Sequence, residues 1–125
     1  MPLRVGIDLV KAATIRDALA EHGERYLRRV YTDAEVGHCR DAAGDVVALR
    51  LAARFAAKEA VMKVLQPAAG DAVPWPQIEV VRTGGAPQLR LHGEAADLAR
   101  RAGLTAFALS FTHEDEYAAA VVVGT

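Results

Sequence analysis

The sequence predicts an α+β domain in which a largely antiparallel sheet packs against one long central helix. Three observations lead there. Residues 51–65 form an uninterrupted run rich in alanine, leucine, lysine and methionine, all strong helix formers, and Gln66-Pro67 closes it because proline cannot continue a helix. Short stretches rich in β-branched and apolar residues near both ends of the chain read as strands. Paired strand patterns late in the chain are separated by turn residues, the mark of hairpins. At 125 residues the chain is long enough for one real core and too short for two.

In chain order, residues 3–10 make the first strand. Alternation places Val5, Ile7 and Leu9 on one face and Gly6, Asp8 and Val10 on the other. An acid inside so apolar a strand is either a strand-end cap or a ligand. Residues 14–22 predict an amphipathic helix with Thr14 as its N-cap and Gly23 as its stop. A short helix over residues 24–30 carries Arg25, Arg28 and Arg29, and Thr32 with Glu35 forms a capping box that starts another. Residues 41–45 read as a loop before the long helix.

Leu51, Phe55, Met62 and Leu65 give that helix a core-facing stripe, and its many alanines predict that another backbone lies close to it. Residues 67–76, with three prolines, form a connecting loop. Residues 78–81 and 88–91 are strands joined through Gly84-Gly85. A helix over residues 93–102 ends at Gly103. The last hairpin pairs residues 107–111 with 117–123 and turns through residues 113–116, which puts His113 at its tip. The order is strand, helices, hairpin, helix, hairpin, in a single domain with no linker or internal repeat.

Composition narrows the function. A net charge of −1 gives no overall field for nucleic acid. No apolar run is long enough to span a bilayer, and no signal-peptide pattern opens the chain. Cys39 stands alone, so an internal disulfide is ruled out and a reducing, cytoplasmic setting is expected.

Chemistry-bearing residues are few. Gly84-Gly85 is not a phosphate loop, because no helix follows it. One cysteine cannot build a thiolate zinc site, and the four histidines lack metal-ligand spacing. Ser110, the only serine, lies inside a strand pattern. What remains is a carboxylate pair, Asp8 and Glu59, with Arg54, Lys58, Lys63 and His113. Glu59 and Lys63 share one helix face, as do Arg54 and Lys58. Two readings are open here. One is a solvated helix held by ion pairs worth about 0.2–0.5 kcal/mol each. The other is a site in which carboxylates hold magnesium, a hard cation that prefers oxygen ligands, while the bases hold phosphates.

A resemblance separates them. Residues 5–10 (VGIDLV), residues 54–60 (RFAAKEA) with Lys63, and residues 110–113 (SFTH) followed by Tyr117-Ala118 resemble the holo-acyl carrier protein synthase family, the short phosphopantetheinyl transferases. The likeness runs from about Val5 to Val123, and the 54–63 segment is its most specific part. It implies the 4′-phosphopantetheinyl transferase fold and transfer of the phosphopantetheine arm of coenzyme A to a serine of an apo acyl carrier protein. Adenosine 3′,5′-bisphosphate would be the by-product.

By position, the resemblance makes Asp8 and Glu59 magnesium ligands (manganese being the alternative ion) and Lys63 the residue facing the pyrophosphate and leaving group. Arg54 and His113 fall where the family contacts nucleotide phosphates, and Lys58 joins them as an expected coenzyme contact. Known members are trimers with active sites between subunits. The chain departs from the pattern twice: residues 66–69 (QPAA) replace a Gly-Thr-Gly-like turn, and Thr14 stands where arginine is common.

Carrier docking is expected on Arg25, Arg28 and Arg29, with Arg16 nearby in sequence. A solvated helix face is the alternative reading. In the family, positions matching Arg25 and Arg29 meet an acidic carrier helix. Rival functions are a non-catalytic module that binds coenzyme A or a carrier, and a metal-dependent phosphohydrolase. The intact trio Asp8, Glu59 and Lys63 argues against the first.

Overall fold

The computed structural model describes all residues, 1–125. Its elements in chain order are β1 (Arg4–Lys11), α1 (Ala12–His22), α2 (Glu24–Val30), α3 (Asp33–His38), α4 (Ala48–Leu65), β2 (Ile78–Val81), β3 (Gln88–Leu91), α5 (Gly93–Arg101), β4 (Phe107–Glu114) and β5 (Tyr117–Gly124). A 3₁₀ turn, Trp75–Gln77, leads into β2. All strand pairs are antiparallel: one sheet has the order β1-β5-β4, the other is the β2-β3 hairpin. The expected α+β architecture holds. No helix is long and apolar enough to cross a membrane.

The centre of the molecule is α4, and it is buried on nearly every side. Leu51, Ala52, Ala56, Ala57, Ala60, Val61 and Val64 are all fully covered. The expected stripe is therefore too narrow; alanine on the remaining positions lets sheet and helices close in. The closest approach is from β1. A Cβ built on Gly6 would sit 2.1 Å from the carbonyl oxygen of Ala60, so only glycine lets β1 lie directly on the helix. Two core clusters form along α4: one with α1, α2 and α3 around Leu51 and Ala56, the other with α5 and β2 around Val61 and Val64.

Three local expectations are corrected. α1 begins at Ala12, not Thr14, and Thr14 caps nothing. Its first turn is held instead by Ala12 N–H donating to Glu116 O at 2.8 Å, so strand passes directly into helix. β4 continues through Glu114, and His113 pairs with Ala118 inside the strand rather than sitting at a tip. The turn is only Asp115-Glu116, with Asp115 at φ 55°, a conformation that aspartate tolerates better than most residues. Capping of α3 by Thr32 and Glu35 is present as expected.

The face of β1 that meets α4 is the one carrying Gly6, Asp8 and Val10. Val5, Ile7 and Leu9 point outward and remain 66%, 64% and 63% exposed. Register sets Val5 beside Val123, Ile7 beside Val121 and Leu9 beside Ala119, so the outer sheet face is a continuous apolar surface.

Candidate active site

The inward face of β1 and one flank of α4 bring three predicted residues together. Lys63 Nζ donates to Ile7 O at 2.7 Å and lies 3.3 Å from Asp8 Oδ1. Glu59 stands one helical turn before Lys63, about 40° around the axis from it. Burial raises the Glu59 pKa above the usual carboxylate value; the charge of Asp8 raises it further, and Lys63 opposes both. Two carboxylates that repel across a shared space suit a hard cation. No group of three or more acidic, histidine or cysteine side chains forms a fuller cage. Asp8 and Glu59 could therefore supply two oxygen ligands, the small protein share that magnesium takes when water and phosphate fill the rest.

This pairing depends on Gly6, a residue that no chemical motif points to. Gly6→Ala would force a methyl group into the Ala60 carbonyl and push β1 off the helix. We expect the variant to unfold several degrees lower and to lose most activity, since sub-ångström placement of Asp8 against Glu59 is what the contact secures. A calorimetric scan with an activity assay checks this. Unchanged activity would show that Asp8 and Glu59 need not be held at this spacing.

Arg54 and His113 lie on the other flank of α4. They line a cleft of about 480 Å³ together with Arg50, Arg82, His38 and Phe111. Arg54 is only 5% exposed, and its Nε is a buried donor with no partner. A buried guanidinium that lines a cavity and keeps one donor without a partner points to a ligand there. Its guanidinium stands over the Phe111 ring, 5.4 Å from the centroid, and that of Arg82 stands 5.9 Å from the same centroid. Arg50, Arg82 and His38 escaped the sequence reading. Arg50 is four residues before Arg54, a spacing that signals a shared helix face. Arg82 follows β2 in the connection to β3 and left no such signal.

Lys58 is corrected outright as a coenzyme contact. Its side chain is completely buried, and its ammonium donates to Glu35 Oε1 at 2.8 Å, Ile78 O at 2.5 Å and Trp75 O at 3.2 Å. All three donors are used inside the core. Burial pushes its pKa below the usual lysine value, against the pull of Glu35. Glu35 also accepts from the N–H groups of Thr32 and Val80, so the pair ties α3, α4 and β2 together. Removing either partner would leave a buried charge at a cost of about 3–5 kcal/mol.

The arginines assigned to docking do not form one patch. Arg25 and Arg29 share a small surface pocket with His22 and Tyr26. Arg28 lines a different one with Glu24, Asp33 and Arg40. Arg16 is engaged in an exposed ion pair, 2.7 Å from Glu116.

A family model for the 4′-phosphopantetheinyl transferase superfamily matches residues 4–122. The chain belongs to that superfamily. Among curated relatives, a holo-[acyl-carrier-protein] synthase of Koribacter versatilis is 41% identical over 124 residues, spanning 98% of both chains. One from Anaeromyxobacter dehalogenans is 46% identical over 126 residues, covering 98% of this chain and 95% of its own. A solved Chronobacterium ammoniagenes ACPS–CoA complex superposes with a TM-score of 0.83 at 30% identity, covering 99% of this chain and 97% of the other. Helicobacter pylori holo-[acyl-carrier-protein] synthase in complex with coenzyme A gives 0.82 at 26%, covering 98% and 100%. The family expectation drawn from residues 5–10, 54–63 and 110–118 is met across nearly the whole chain.

Proposed function

We propose that this chain is a holo-acyl carrier protein synthase that transfers 4′-phosphopantetheine from coenzyme A to a serine of an apo acyl carrier protein. The observation that carries the reading is the Asp8–Glu59–Lys63 cluster on a chain of this family. In the reaction the serine oxygen attacks the β-phosphorus of coenzyme A. A new P–O bond forms, the bridging P–O bond breaks, and adenosine 3′,5′-bisphosphate departs. Glu59, directly or through a water, takes the serine proton. Lys63 neutralises charge that builds on the bridging oxygen. Asp8 and Glu59 would hold magnesium, or manganese in its place, which when bound absorbs negative charge on the transferring group. Arg54 and His113 contact the nucleotide phosphates. Mass spectrometry of an apo carrier incubated with coenzyme A and magnesium tests the reading. A phosphopantetheine gain supports it; free phosphate without carrier modification would favour a hydrolase.

One chain cannot readily bring all these groups to one substrate. Asp8 and Phe111 both stand opposite Ala120 of β5, so the two edges of the site are two strand spacings apart, about 10 Å, with β5 between them and α4 packed across the sheet face. Arg54 and Glu59 are about 140° apart around that helix. A homotrimer in which one subunit supplies Asp8, Glu59 and Lys63 and its neighbour supplies Arg54 and His113 resolves this. The apolar outer sheet face, on which Val5, Ile7 and Leu9 are exposed and Val121 and Val123 half-buried, supports such assembly, because a monomer gains nothing by showing it to water. The enzyme acts in the cytoplasm, a setting that its single buried thiol suits.

Carrier docking falls to Arg25 and Arg29, which share a face that Arg28 and the paired Arg16 do not extend. Charge reversal of both, Arg25→Glu with Arg29→Glu, should raise the carrier KM about tenfold and flatten its salt dependence, leaving the coenzyme KM within twofold. A salt titration of initial rates reads this. An unchanged carrier KM would move docking elsewhere.

A further inference from the structure

Lys63 lies in the last turn of α4, where a helix is held least, because its final four carbonyls have no partner within it. Met62 O is satisfied by the N–H of Gln66 at 3.0 Å. That bond needs Gln66 in the left-handed conformation, φ 53° and ψ 59°, which glycine adopts freely and glutamine only at a cost. Pro67 has no N–H to offer, and no backbone N–H of the loop beyond it reaches Val64 O. The turn that carries Lys63 therefore ends in a strained residue and draws little support from the loop that follows.

Its support comes from the sheet. Arg4 Nη1 donates to Val64 O at 3.0 Å, across 60 residues of chain. Arg4 is half-buried and has no acid within ion-pair distance, so this carbonyl is the partner that its position serves. A cation at a helix C-terminus is favoured by the helix dipole as well. β1 lies along α4 so that Arg4 meets the final turn, Gly6 meets Ala60, and Asp8 receives the Lys63 ammonium. A Cβ built on Gly6 would stand 3.2 Å from Lys63 Cβ, so the root of the Lys63 side chain rests on the strand. Opposite Arg4 in β5 is Gly124, whose Cβ would meet Val64 Cγ1 at 2.9 Å. Both strands thus press on the turn that Arg4 pins.

We propose that Arg4 is a positioning residue for Lys63: by tying the Val64 carbonyl to β1 it fixes the last turn of α4, and with it the ammonium that faces the leaving group. This rests on the role given to Lys63 in the transfer reaction above. Arg4 stands four residues from Asp8, about 13 Å along the strand, so it acts through the helix and not on the phosphates.

A double-mutant cycle on the intact protein tests this, read as single-turnover transfer rates beside titration of coenzyme A. Arg4→Met keeps an apolar stem and loses every donor. It should slow transfer about tenfold and leave the coenzyme A dissociation constant within twofold. Arg4→Lys, which can still donate to Val64 O, should restore most of that rate. In Lys63→Ala protein, adding Arg4→Met should change the rate by less than about twofold, because no ammonium is left to misplace. A bond of merely structural value would slow both backgrounds by the same factor, and that result overturns the proposal. So does an Arg4→Met enzyme as fast as wild type, or one impaired only in coenzyme A affinity. If Lys63→Ala itself transfers at the wild-type rate, the reading of Lys63 fails, and the proposal with it. Thermal scans set an assay temperature at which each variant is folded. Should Arg4→Met fold at none, Arg4→Gln, too short to reach Val64 O, takes its place in the cycle.

Discussion

Asp8→Ala and Glu59→Ala are each expected to lower transfer by about three orders of magnitude or more, with the fold intact. The size follows from what the pair is asked to do. Negative charge concentrates on the transferring phosphoryl group, and under the proposed reading the two carboxylates would hold the cation that offsets it. The intact fold follows from the surroundings. Each substitution removes one of two mutually repelling charges, and Lys63 keeps its hydrogen bond to Ile7 O. Steady-state rates with a thermal melt of each variant check both halves. Activity above about a tenth of wild type would remove that carboxylate from the mechanism, and full wild-type activity in excess chelator would remove the metal.

Lys63→Ala should cut kcat by about 10²–10³ while the coenzyme A dissociation constant moves only a few-fold. Charge on the bridging oxygen develops only as the bond breaks, so a cation placed there favours the transition state over the bound substrate. Stability should barely change. The Lys63 side chain is 54% exposed, and an exposed ion pair of this kind contributes about 0–1 kcal/mol. Single-turnover rates alongside titration of coenzyme A separate the two effects. A loss confined to affinity would make Lys63 a binding residue.

Sequence alone carried much of this site, for physical reasons that differ by residue. Glu59 and Lys63 could be paired because helical spacing is rigid, and Asp8 stood out because an acid in an apolar strand demands a reason. The same spacing misled at Lys58. Sharing a face with Arg54 looked like a shared role, yet the partner that claims Lys58 is Glu35, 23 residues away and brought near only by the packing of α3 on α4. Thr14 looked like a cap because its residue type prefers that place, but strand β1 runs on to Lys11 and starts the helix early. Which face of β1 turns inward was invisible too. Alternation separates Val5, Ile7 and Leu9 from Gly6, Asp8 and Val10 without saying which set is buried, and it is Gly6 that lies against the Ala60 carbonyl. Arg82 lies on a connection whose direction no local pattern fixes.

The central proposal is that one catalytic centre needs two chains. It is tested by mixing. Glu59→Ala protein and Arg54→Ala protein, each inactive alone, are unfolded together, refolded at equal ratio and given coenzyme A, magnesium and an apo carrier, whose mass is then followed. In a random cyclic assembly about a quarter of the interfaces join an intact Asp8–Glu59–Lys63 set to an intact Arg54. The mixture should therefore modify the carrier at about a quarter of the wild-type rate, while each variant refolded alone does not. A mixture as inactive as its parents, at a concentration where wild type refolds to full activity, would contradict a site shared between neighbouring subunits.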